Sequence, residues 1–156
     1  MIVDRTFNVK EIEKIIYHKD VIQHSTESGK KGFIDPEADC FIGTYKDNKL
    51  VGLFIFCPLN LISLDVHCYF LPEYRKELSK DSYLKSVEYV FNKSNYQKLI
   101  VKCKGNNWHV KRFCLNNGFV LEGKLTKSAI FKNRLVDEYL LGMTKEQFTE
   151  YKECLH

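Results

Sequence analysis

No apolar run in this sequence approaches the ~18 residues that a membrane-spanning helix needs, so it offers no candidate span. The first residues, Met-Ile-Val-Asp-Arg-Thr, lack the basic and then apolar layout of a secretory leader, which points to synthesis and residence in the cytoplasm. No internal repeat or low-complexity segment stands out. The six cysteines include no C-x-x-C pair and none is spaced with a histidine as in a zinc finger, which excludes the common structural metal sites. They read as reduced, metal-free thiols, four of them on strands among apolar neighbours. The excess of positive charge is also small. Twenty-four Lys and Arg against 20 Asp and Glu leave +4, too little and too scattered to argue for nucleic acid, though it suits an anionic ligand.

What the chain does have is an ordinary globular composition, 44% hydrophobic and 28% charged, with a 13% aromatic share that helps build a dense core. Its 156 residues fit one domain over 1–156.

Val9, Ile12 and Ile16 recur at helical spacing after Asn8, a suitable N-cap. Residues 24–39 are polar, contain Gly29, Gly32 and Pro36, and read as a long loop. Three strands are expected next, at 40–46, 49–57 and 61–70, with a tight turn at Asp47-Asn48. The strand of 49–57 is apolar on both faces, as in a strand covered on both sides. In 61–70, Ile62, Leu64, Val66, Cys68 and Phe70 alternate with Ser63, Asp65, His67 and Tyr69, giving one core face and one polar face. Pro72 ends that strand. A helix over 79–93 should bury Tyr83, Val87, Val90 and Phe91. A strand at 98–103, a helix at 107–117 and a hairpin near 119–131 and 135–143 follow. Thr144-Lys-Glu-Gln147 reads as a capping box opening a last helix.

Residues 107–119, Asn-Trp-His-Val-Lys-Arg-Phe-Cys-Leu-Asn-Asn-Gly-Phe, describe an amphipathic helix capped by Asn106 or Asn107 and stopped by Gly118. Asn107, Val110, Phe113, Gly118 and Phe119 resemble the last conserved segment of the GNAT N-acyltransferases, with Cys114 where that family usually has a tyrosine. Pro72-Glu73-Tyr74-Arg75 is similar to the P-E-Y-R that follows the family's fourth strand. Asp137-Glu-Tyr-Leu-Leu-Gly-Met143 is similar to the closing strand of its ribosomal-protein-acetylating branch. The resemblance covers essentially the whole chain. It implies an α+β (α/β) fold with a central mixed, mostly antiparallel sheet flanked by helices, in which the parallel strands 61–70 and 98–103 splay apart at one end.

The same resemblance implies the chemistry: an acetyl group passed from acetyl-CoA to a primary amine on a protein N-terminus, a lysine or a small molecule. Asp65 and His67 fall near the family's base, and a histidine can take the amine proton near neutral pH. Backbone groups near Cys68, Tyr69 and Phe70 would contact the acyl arm. Tyr69 or Cys114 would return a proton to the leaving thiolate, and Asn107 and Phe113 lie beside the thiol end. The pyrophosphate loop, Q/R-x-x-G-x-G/A in the family, corresponds to Arg75, Lys76, Glu77, Leu78, Ser79 and Lys80. Arg75 fits. Leu78 and Lys80 replace both small residues, so two side chains are expected to intrude where phosphates lie, with Arg75, Lys76, Ser79 and Lys80 left to bind them.

That departure, a histidine near the start of the 107–117 helix, and abundant Lys, Asn and Tyr also resemble GNAT-like proteins of tailed phages. Some of those are virion or head-assembly proteins with phage structural proteins as partners. The sequence therefore leaves an acetyl-CoA-dependent enzyme and a non-catalytic assembly protein both open.

Overall fold

A computed structural model describes residues 1–28 and 30–156, without the side chain of Ser25. Gly29, one of the loop glycines noted above, lies outside the described residues. In chain order the elements are β1 (Ile2–Arg5), α1 (Val9–Ile16), α2 (Ile22–Ser25), β2 (Cys40–Lys46), β3 (Lys49–Pro58) and β4 (Ser63–Phe70). A 3₁₀ turn (Pro72–Tyr74) then leads into α3 (Arg75–Lys93), followed by β5 (Lys98–Lys104), α4 (Trp108–Asn116), β6 (Val120–Phe131), β7 (Arg134–Thr144) and α5 (Lys145–Cys154). The strands form one seven-stranded sheet in the order β1-β2-β3-β4-β5-β7-β6. Among the pairings with a described register, β4 with β5 is parallel and the others are antiparallel.

The chain divides into two compact units, Met1–Pro58 with His67–Ser94, and Leu59–Val66 with Asn95–His156. In the first unit, Asp47 and Asn48 turn β2 into β3 with φ of 49° and 63°, the left-handed geometry of a two-residue hairpin. β3 is buried from Leu50 to Phe56. On one face Leu53 and Ile55 meet Ile12, Ile15 and Ile16 of α1. On the other, Phe54 meets Phe70 edge-on at 5.8 Å and Tyr83 of α3 at 6.3 Å. The two-sided cover implied by its apolar pattern is thus present. Asn8 caps α1 by accepting from the Glu11 N–H at 3.3 Å.

The sequence reading of this unit is corrected in two places. β1 adds a short edge strand, pairing Ile2–Arg5 with Tyr45–Ile42. α3 begins at Arg75, immediately after the Pro72 turn, and not at 79. Residues 75–80 are therefore helix and not loop.

In the second unit, β5 pairs with β7 along its whole length, and β7 with β6. Lys132 and Asn133 repeat the left-handed two-residue turn at the hairpin tip. α4 and α5 pack against this sheet. Gly118, at φ 91°, ends α4, and a β-carbon there would press on Tyr151 and on the Met143 sulfur. The capping box is present: Thr144 accepts from the Gln147 N–H, and the Gln147 side chain accepts from the Thr144 N–H. Parallel pairing of β4 with β5 covers Ser63–Asp65 against Lys98–Ile100, so Val66–Phe70 lie beyond it.

β4 itself starts at Ser63. Ile62, expected on its core face, belongs to an exposed turn in which Asn60 Oδ1 accepts from the N–H groups of Ile62 and Ser63. No helix among the described residues is long and apolar enough to cross a membrane.

Candidate functional site

The sequence-predicted site residues fall into two groups, one in each unit. In the first unit, His67 and Tyr69 stand two residues apart on β4, so their side chains share a face. Their rings lie nearly parallel, 8° apart in plane and 6.4 Å between centroids. Both are half-buried, and Tyr69 packs against the α1 cluster. Cys68 and Phe70 point to the opposite face. Phe70 is a core residue, whereas Cys68 is exposed, contrary to its expected place in the core.

The start of α3 carries the second part of this group. Arg75 anchors rather than dangles: its Nε donates to the Phe70 carbonyl at 3.1 Å and its Nη2 to the Asp20 carbonyl at 3.1 Å. A guanidinium has five N–H donors, so three further ones remain beyond these bonds. Lys76 and Lys80 are exposed and Ser79 is half-buried. Tyr74 occupies the N-cap position without a side-chain cap bond. The first-turn Glu77 is held by Lys46 at 2.8 Å.

Leu78 is a core residue. It is 8% exposed and lies on the inner stripe of α3, one turn before the buried Ser82 and two before the buried Ser86. Because residues 75–80 are helical, position 78 points into the core.

In the second unit, Asp65 sits on β4 opposite Ile100. Asn107 is at the N-cap position of α4, but its side chain makes no cap bond. Its carbonyl instead receives the Cys103 thiol at 3.2 Å. Phe113 is half-buried, and its carbonyl accepts from Asn117 Nδ2 at 2.7 Å.

Cys114 is 5% exposed, and burial, helped by the neighbouring Cys103, pushes its thiol up to about 12. A thiol held that high is a weaker acid than the ordinary thiol it would have to protonate. Cys114 is a core side chain, and the proton-donor reading passes to Tyr69. Burial raises Cys103 as well. The six thiols are unevenly covered: Cys103 and Cys114 are buried, Cys40 and Cys57 half-buried, and Cys68 and Cys154 exposed.

Sequence reasoning missed Tyr151 of α5. Its hydroxyl donates to Asn117 Oδ1 at 3.0 Å, and that buried asparagine closes α4. The only signal was the Asn-Asn-Gly stop itself. Among the described residues, no group of three His, Cys, Asp or Glu is arranged to hold a metal ion.

A family model described as "Protein of unknown function (DUF2824)" matches residues 3–154. The chain belongs to that family. Among solved structures it is similar to a chimera of the spermidine N-acetyltransferase SpeG from Vibrio cholerae and hSSAT, at 16% identity and a TM-score of 0.77, covering 96% of this chain and 99% of that one. It is also similar to a ribosomal-protein-alanine N-acetyltransferase from Brucella melitensis, at 11% identity and a TM-score of 0.75, covering 92% and 99%. A further SpeG structure, of glutamate-to-glutamine mutant forms, is 19% identical with a TM-score of 0.68 over 74% of this chain and 69% of that one. At these identities the likeness establishes the fold, which is that of the GNAT acetyltransferases. No curated protein matches the sequence.

Proposed function

We propose that this protein is an N-acetyltransferase that moves an acetyl group from acetyl-CoA to a primary amine, on a protein N-terminus, a lysine or a small molecule. The observation that carries the reading is the β4–β5 pair. It is parallel, it stops after three residues on each strand, and His67 and Tyr69 lie just beyond it on one face of β4. Neighbours of this fold named as acetyltransferases of spermidine and of ribosomal-protein alanine support the reaction class.

The residues present fit the cofactor. The start of α3 lacks a side-chain cap, so first-turn N–H groups and the helix dipole favour an anion there. Arg75, Lys76 and Lys80 would hold phosphates, with Ser79 as a hydroxyl donor. Acetyl-CoA, when bound, supplies the thioester carbonyl that the amine attacks. His67 takes the amine proton, directly or through one water, as the C–N bond forms. Asp65 stands two residues before His67 on β4. Backbone N–H groups at Cys68–Phe70 are the candidate donors to the oxyanion and to the acyl arm. Tyr69 would be the hydroxyl donor for the leaving thiolate.

The direct test follows thiol release and acetylated product by mass with spermidine, an alanine-terminal peptide and a lysine peptide as acceptors. Amine-dependent release that falls at least a hundredfold in His67→Ala supports the proposal. Its absence with every acceptor overturns it.

A second reading, a non-catalytic assembly protein of this fold such as a phage virion component, is favoured by Arg75. The one residue that matches the phosphate pattern is already held by two backbone carbonyls. Retained acetyl-CoA binding separates the two.

A further inference from the structure

The charge of this chain is unevenly distributed. The first unit holds thirteen Lys and Arg against thirteen Asp and Glu, and the second eleven against seven, so the whole +4 belongs to the second. Within it, residues 95–119 contain five basic residues and no acidic one.

Part of this charge is gathered at one place. Gly105, next to Lys104, donates its N–H to the Asp137 carbonyl at 2.7 Å. The Asp137 carboxylate in turn accepts from the Lys127 N–H at 2.8 Å and lies 3.8 Å from Lys124 Nζ. Lys111 Nζ sits 3.8 Å over the ring of Tyr139, two residues along β7 from Asp137. Lys104 Nζ donates to the Ile130 carbonyl at 3.1 Å, and Glu138 stands opposite Lys104 on β7, so lysines 104, 111, 124 and 127 share this part of the hairpin with two carboxylates, Asp137 and Glu138. The start of α4 adds an aromatic element. Trp108 is 55% exposed and stacks on the exposed His109 at 3.7 Å between centroids. A large exposed ring beside a cation cluster is costly to leave in water and offers a π-face to a planar, anionic partner.

We propose that this corner of the second unit, Lys104, Lys111, Lys124 and Lys127 with Trp108 and His109, binds single-stranded nucleic acid. The lysines would track phosphates, and the Trp108–His109 pair would stack on bases. A purely acidic peptide would satisfy the lysines and leave the indole without a partner, which favours nucleic acid over an acidic protein.

Trp108 is the only tryptophan, so its fluorescence reports on this surface alone. The full-length protein is titrated with oligothymidylate and oligouridylate of about 16 nucleotides, and with polyglutamate of matched charge. The expected result is quenching by either oligonucleotide, with affinity falling as salt rises and a log–log slope of roughly 0.7 per phosphate engaged. With labelled oligonucleotide and anisotropy detection, Lys124→Glu with Lys127→Glu should weaken binding at least tenfold and flatten that slope. Trp108→Ala should weaken it at unchanged slope, and Trp108→Phe should restore most of the loss. Circular dichroism controls for folding. No quenching by either oligonucleotide overturns the proposal. So does equal quenching by polyglutamate, which would make this a surface for acidic proteins, or equal affinity for duplex, which would remove the stacking role.

Discussion

The Phe70 ring lies against Gly52 so closely that a β-carbon there would overlap its Cδ1, Cε1 and Cγ atoms. Only glycine lets the end of β4 seat on β3 at this point, and the same strand end carries His67 and Tyr69. Gly52→Ala should therefore destabilise the fold by about 1–3 kcal/mol, the usual cost of overpacking. Urea unfolding checks this through a lowered midpoint at unchanged slope. An unshifted midpoint would mean that Phe70 has room to move.

Leu78 is the clearest case in which the helix changes the meaning of a residue. Leu78→Ala should cost about 2–5 kcal/mol, as for other buried leucines. Leu78→Gly with Lys80→Gly, which would restore the small residues of the acetyltransferase pattern, should lose stability without gaining acetyl-CoA affinity. Thermal unfolding and calorimetry on the same samples read both quantities. A tighter complex from the double glycine variant would show that position 78 blocks the phosphates after all.

The cations of α3 separate by role. Lys76→Glu with Lys80→Glu should weaken acetyl-CoA binding by more than tenfold, about 1.4 kcal/mol, with little change in thermal stability because both side chains are exposed. Arg75→Glu should also lower stability, since it removes the bonds to the Phe70 and Asp20 carbonyls. Unchanged affinity in the lysine double variant would place the phosphates elsewhere.

The Cys114 thiol titrates at about 12 in the folded chain against an ordinary 9.0. Its folded value is raised, so the unfolded chain loses this proton first. The associated stability is intact below pH 9 and is lost as pH rises toward 12. Between about pH 8 and 10.5, wild type should lose roughly 1–2 kcal/mol more than Cys114→Ala. Denaturant curves at the two pH values give the difference. In acetyl transfer, Cys114→Ala should keep its kcat, whereas Tyr69→Phe should lower it. A kcat that collapses in Cys114→Ala would return the proton-donor role to the thiol.

Most of the fold was legible because its signals are local. A run apolar on both faces marked β3, alternation marked β4, Asp47-Asn48 marked the first hairpin, and Thr144 with Gln147 marked the start of α5. β1 was missed because four residues of an edge strand, alternately exposed and half-buried, carry too little apolar pattern. The early start of α3 was missed because Tyr74 is no side-chain cap, so nothing local marks Arg75 as the first helical residue. That one boundary decided the reading of Leu78. Cys68 alternates in phase with Leu64, Val66 and Phe70, yet it is exposed. Alternation assigns a face to a side chain but not whether that face is covered at that position. At the site, residue types were readable and their engagements were not. That Arg75 would be spent on two carbonyls, or Cys103 on the Asn107 carbonyl, depends on contacts the spacing does not encode.

The central claim is that a cofactor-binding acetyltransferase site survives in this chain despite Leu78 and Lys80. Calorimetric titration of the full-length protein with acetyl-CoA tests it most directly. One site of micromolar affinity, about −8 kcal/mol, is expected, weakened more than tenfold in Lys76→Glu with Lys80→Glu. No binding heat at any temperature tried, with the protein folded and acetyl-CoA at millimolar concentration, would contradict it and leave the non-catalytic reading in its place.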